Sequence, residues 1–118
     1  MTRSVLIVDD HPSFRATARA VLEAEGFNVV GEAKDGREAI ELAAQLHPDV
    51  VLLDVQLPDS TGFDVATELG RLNGSVPLIV LVSSRDAADY GELIDGCGAC
   101  GFVPKGELSG AAVQALLP

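Results

Sequence analysis

Short aliphatic runs alternating with amphipathic helical segments predict an α/β fold, a parallel sheet with helices on both faces. Two observations carry that reading. The hydrophobic period switches repeatedly between that of a buried strand and that of a helix, with strands at roughly 4–9, 28–33, 49–54, 77–83 and 101–104. Four of these runs also stop on polar residues. Val5 to Val8 leads into Asp9-Asp10, Val50 to Leu53 into Asp54, Leu78 to Val82 into Ser83, and Gly101 to Pro104 into Lys105.

The helices follow in order. Pro12 to Glu25 reads as the first, with Pro12 in its first turn, an apolar stripe of Phe14, Ala18, Val21 and Leu22, and Gly26 as the C-terminal cap. The second starts at Asp35, with Glu38 three residues on as a capping-box variant. Its apolar face is Ala39, Ile40, Ala43 and Leu46, and Pro48 lies past its end. A third, roughly 61–73, is weakened by Gly62 and Gly70. A fourth, roughly 86–96, opens at Asp86, and the last runs from about Glu107 to Leu117.

The 118 residues, 47% of them hydrophobic, are expected to form one domain over 1–118 with a sizeable core. Eight basic against 18 acidic residues give a formal charge of −10, which argues against this domain gripping nucleic acid or an anionic membrane directly. The longest aliphatic run, Leu78 to Val82, is far short of the ~20 residues of a membrane-spanning helix. Met1-Thr2-Arg3 leads straight into a strand with no signal-peptide core, so a cytoplasmic location is expected.

Two motif matches weaken in context. Cys97 and Cys100 form a Cys-x-x-Cys, but they sit in a glycine-rich stretch before a strand rather than at a helix start. His11 and His47 are too distant in sequence to complete a zinc site with them. Two small residues packing at a tight turn is the favoured reading. Gly96 to Gly101 fits G-x-G-x-x-G but closes a helix instead of opening one, so no nucleotide site is assigned.

The strand-end residues are more informative together than singly. In an open parallel sheet, ligands bind beyond the carboxyl ends of the strands. Neighbouring strands would bring Asp9, Asp10, Asp54, Ser83 and Lys105 to one edge, a site suited to a charged phosphoryl group. Three carboxylates that close repel one another, so a divalent cation with oxygen ligands is expected among them. Asp54 ends a fully apolar run, and a buried carboxylate there needs a cation or strong donors.

These residues resemble the receiver domain of a bacterial two-component response regulator, and the resemblance spans essentially the whole chain. It rests on Val8-Asp9-Asp10, on Leu53-Asp54 followed by Leu57-Pro58 and Gly62, on Val82-Ser83-Ser84, and on Gly101-Phe102-Val103-Pro104-Lys105. Asp10-His11-Pro12 followed by Arg15 is similar to receivers of the LuxR/NarL type, which usually carry a helix-turn-helix DNA-binding domain. The resemblance implies a flavodoxin-like sheet of five parallel strands, order 2-1-3-4-5, flanked by five helices. It implies Asp54 as the phosphoacceptor, served by a sensor histidine kinase or a small phosphodonor. It also implies magnesium (Mg2+) held by Asp9, Asp10, Asp54 and the Gln56 carbonyl, with Lys105 contacting the phosphoryl group. Ser83 is the implied switch hydroxyl and Phe102 the aromatic switch position. Many relatives have tyrosine at the latter position, so a tyrosine-hydroxyl signal is not expected here. Many also have Lys-Pro where this chain has Lys105-Gly106, so a cis peptide is not assumed.

The output implied is control of transcription, with a homodimer formed on phosphorylation through the first and last helices. The pattern fits equally a receiver with a DNA-binding segment after Pro118 in a longer chain and a receiver that stands alone. Two other classes fit less well. An aspartate-nucleophile phosphatase of the haloacid-dehalogenase kind would place a second carboxylate two residues after the nucleophile, where this chain has Gln56. A degenerate receiver acting as an interaction module would lack an acidic or lysine position, and none is lost. The domain is therefore expected to promote only its own phosphorylation and dephosphorylation rather than to act as an enzyme on other substrates.

Overall fold

A computed structural model of the chain describes residues 2–118 apart from Asn73 and Ser75. Strands β1 (Ser4–Val8), β2 (Asn28–Ala33), β3 (Val50–Asp54), β4 (Leu78–Ser83) and β5 (Gly101–Pro104) form one parallel sheet in the order 2-1-3-4-5. Between and after them come α1 (Pro12–Ala24), α2 (Gly36–Leu46), α3 (Gly62–Leu69), α4 (Leu93–Gly96) and α5 (Gly110–Leu116). This is the flavodoxin-like fold expected from the sequence. No helix of the described residues is long and apolar enough to cross a membrane.

Alternation along the central strands builds two cores, because successive side chains point to opposite faces. Val5, Ile7, Val50, Leu52, Val80 and Val82 pack with Ala18 and Leu22 of α1 and Val113 of α5. Leu6, Val8, Val51, Leu53, Ile79 and Leu81 pack on the other face with Ala39 and Ala43 of α2 and with Val65, Ala66 and Leu69 of α3. A strand covered on both faces reads as a continuous apolar run, so β3 is buried from Val50 to Asp54.

Helix ends differ from the sequence expectations where capping decides. At α1, Gly26 takes the left-handed φ of +99° that a C-terminal cap needs. Asp35 caps α2, its Oδ1 accepting from Glu38 N at 2.8 Å, but the Glu38 carboxylate reaches Lys34 N at 3.2 Å instead of Asp35. Asp59, from the loop after β3, accepts from Gly36 N at 2.8 Å and Arg37 N at 3.0 Å. The Gly36 N–H, opposed by slight burial and joined by Arg37, holds the Asp59 carboxyl below its usual range.

The third helix ends at Leu69 with Gly70 as its cap, and the predicted end at Asn73 lies outside the described residues. The last helix starts at Gly110, not near Glu107. Ser109 is its N-cap, accepting from Ala112 N at 3.0 Å, and Lys105–Glu107 makes a separate 3-10 turn. The fourth helix departs most. The predicted 86–96 helix breaks into a 3-10 turn, Ala87–Asp89, and the four-residue α4, because Gly91 between them adopts φ +55°.

Candidate functional site

Four strand ends place the charged residues on one edge. The register sets Val8 beside Leu53, Asp54 beside Val82 and Ser83 beside Pro104, so the residues leaving β1, β3, β4 and β5 converge. Gly62 lets α3 start directly against this edge. Its N–H donates to Val55 O at 2.7 Å, and a Cβ there would overlap the backbone carbonyl of Asp54. The glycine that weakens the helix in the sequence is what brings the helix to the site.

Asp9, Asp54 and Ser83 are buried, whereas Asp10 is exposed. Lys105 Nζ lies 2.6 Å from Asp9 Oδ2 and 3.4 Å from Asp54 Oδ2, and sits 4.5 Å above the Phe14 ring. Burial disfavours the ammonium, but the Asp9 and Asp54 carboxylates outweigh it and hold the Lys105 pKa above its ordinary value. Burial, with the Asp9 charge next to it, pushes Asp54 from 3.8 up to about 6 against the pull of Lys105 and the Gln56 N–H. The predicted convergence of Asp9, Asp10, Asp54, Ser83 and Lys105 is therefore present. Gln56 is exposed beside it, its N–H donating to Asp54 Oδ1 at 3.3 Å.

The site residues fit a divalent cation. Ligand atoms of Asp9, Asp10, Asp54 and His11 lie within 4.8 Å of one another. The Asp9 Oδ2 atom is buried and touches Lys105 without hydrogen-bond geometry, so it has no hydrogen-bond partner. Carboxylate oxygens gathered this closely, with the single Lys105 ammonium against Asp9 and Asp54, are what an oxygen-ligated cation satisfies.

Two residues escape the sequence reading. His11 enters it as a distant partner for the cysteines and as part of the Asp10-His11-Pro12 motif, not as a site residue, yet its Nδ1 lies 2.9 Å from Asp9 Oδ1 and 3.2 Å from Asp10 Oδ1. Its adjacency to the Asp9-Asp10 pair is the signal that could have found it. Tyr90 brings to Ser83 a tyrosine hydroxyl that the sequence reading does not place there. From the turn after β4, its Oη sits 2.6 Å from Ser83 Oγ. The Tyr90 ring packs edge-on against Phe63, at 5.4 Å between centroids, and tilted against Phe102 at 5.8 Å. The sequence pattern points to that hydroxyl only at position 102. The Lys105-Gly106 bond is trans, as are the other described peptide bonds. Cys97 and Cys100 are free thiols; Cys97 Sγ donates to Ile94 O, in keeping with a packing role.

A parallel 2-1-3-4-5 sheet with a buried aspartate, an acidic cluster and a lysine at its carboxyl edge defines the phosphorelay-receiver class of domain. The match of residues 5–116 to the response regulator receiver domain places the chain in that family. It is 42% identical over 102 residues to the nitrate/nitrite response regulator NarP of Escherichia coli, covering 86% of this chain and 47% of that protein. It is 37% identical over 108 residues to BvgA of Bordetella pertussis, which is named for positive transcription regulation of virulence factors, covering 91% and 51%. Among solved structures, the signal receiver domain of NarL from Mycobacterium tuberculosis superposes with a TM-score of 0.85 at 32% identity, covering 98% and 96%. The chain spans about half the length of the curated relatives it matches.

Proposed function

We propose that this domain, spanning residues 1–118 and working in the cytoplasm, accepts a phosphoryl group on Asp54 from a phosphohistidine of a sensor histidine kinase, or from a small phosphodonor. We further propose that it relays the change to an output controlling transcription. The observation that carries this is the state of Asp54, a buried carboxylate at a strand end, facing a lysine and flanked by further acidic ligands.

In the transfer, an Asp54 carboxylate oxygen forms a bond to phosphorus while the phosphorus–nitrogen bond of the donor breaks and its electron pair returns to the imidazole. Such a transfer is promoted mainly by positioning and charge stabilisation. Lys105, shared between Asp9 and Asp54, is within reach of a phosphoryl oxygen carried on Asp54. Ser83, two strands from β1 on the same edge, donates its hydroxyl to another oxygen. Asp10, Asp54 and the Gln56 carbonyl would hold magnesium, with Asp9 ordering a bound water. The ion would supply positive charge that offsets the negative charge of the transferring phosphoryl group.

Intact-mass measurement after incubation with acetyl phosphate tests the reading. One phosphoryl group is expected with magnesium and none with a chelator. Turnover of small phosphate esters without protein labelling would favour a phosphatase instead.

A further inference from the structure

Resting on the phosphoacceptor reading, we propose that Tyr90 is the positioning residue of the switch. Its hydroxyl holds Ser83 away from Asp54 in the resting protein and is released when Ser83 turns to a phosphoryl group. Ser83 is wholly buried, so its hydroxyl must find protein partners. It has two, the Tyr90 hydroxyl at 2.6 Å and the Arg85 N–H at 3.1 Å.

A turn of the Ser83 side chain carries the exchange. A serine hydroxyl has one proton and two lone pairs. One lone pair is taken by the Arg85 N–H, and a phosphoryl oxygen can only accept. Ser83 therefore points its single proton at the phosphoryl group. Its second lone pair is free to accept from Tyr90, so the exchange rests on position, because turning Oγ toward Asp54 carries it off the Tyr90 hydroxyl now 2.6 Å away.

The consequences leave the site through Tyr90. Its ring bridges Phe63 of α3 and Phe102 of β5, so release of the hydroxyl unlocks both aromatic contacts. The segment around it is built to move. Tyr90 caps a single 3-10 turn, Gly91 follows at φ +55°, and α4 is four residues long with Leu93 57% exposed. Phe102 has no hydroxyl, so the signal that position cannot carry is supplied from the turn after β4.

The chain has one tyrosine and no tryptophan, so its tyrosine absorbance and Raman bands report this hydroxyl alone. The intact protein is titrated with beryllium fluoride in magnesium buffer, with fluorine NMR reporting independently whether the mimic binds. The tyrosine bands should change from those of a hydrogen-bonded to a released phenol as the mimic binds, and not in Asp54→Asn. Tyr90→Phe keeps the ring packing and should raise mimic affinity about fivefold, as expected for removing one neutral hydrogen bond from the resting state. In a Ser83→Ala background the same change should have no effect. Absence of mimic binding would overturn the phosphoacceptor reading itself. Bound mimic with unchanged tyrosine bands, or weaker or equal mimic binding by Tyr90→Phe, would overturn the role of Tyr90 alone.

Discussion

Replacing Asp54 by asparagine should stabilise the metal-free protein at neutral pH. The carboxylate is 3% exposed, beside the Asp9 carboxylate, and these together raise its pKa from 3.8 to about 6 even with Lys105 at 3.4 Å. At ~1.4 kcal/mol per pKa unit, holding Asp54 ionised at pH 7 opposes folding by ~3 kcal/mol. Asparagine keeps the shape and removes the charge. With an m-value of ~1–3 kcal/mol/M for a small domain, the urea midpoint should rise by on the order of 1 M or more. The sign is set by proton binding. Folded protein keeps the Asp54 proton up to about pH 6, the unfolded chain only to about 4, so wild-type stability falls as pH rises through that window. The gap between variant and wild type should therefore be small near pH 4, grow between 4 and 6, and be complete at pH 7. Urea unfolding in chelator buffer across this range measures it. A variant no more stable than wild type at pH 7, or a gap independent of pH, would refute the reasoning.

Three further outcomes are expected. Asp10→Asn should lower the phosphorylation rate at least tenfold and weaken its magnesium dependence, because one carboxylate of the cluster is lost; unchanged rates across a magnesium titration would misplace the site. Arg85→Ala should shorten the phosphoryl lifetime, because the exposed Arg85 begins next to Ser83 and its guanidinium can shield the phosphoryl group from water that Gln56 would orient. An equal or longer lifetime, measured by loss of label, argues against shielding. Self-association should follow phosphorylation, since a charge of −10 opposes pairing of unmodified subunits; identical sedimentation with and without beryllium fluoride would count against it.

Fold and site are legible wherever a residue's role depends on burial along a strand. The apolar run from Val50 to Leu53 announces a strand covered on both faces, and the aspartate that stops it must then lie at the sheet edge. The same logic locates Asp9, Ser83 and Lys105. What stays hidden depends on backbone geometry or on where a loop doubles back. Asp86 to Gly96 has the composition of a capped helix, but Gly91 at φ +55° breaks it, and only the broken path turns Tyr90 toward Ser83. Ser109 displaces the start of α5 because its hydroxyl caps the helix while Leu108 is extended. His11 lies beside the acidic pair in sequence, yet its ring orientation is set by the entry into α1.

Phosphorus NMR of the native protein after reaction with acetyl phosphate and magnesium tests the central claim most directly, because it identifies the bond formed. Asp54 as acceptor predicts a single acyl-phosphate resonance that is absent from Asp54→Asn. A phosphoramidate resonance from His11 or His47, a phosphoester resonance from Ser83, or an acyl-phosphate signal persisting in that variant would contradict it.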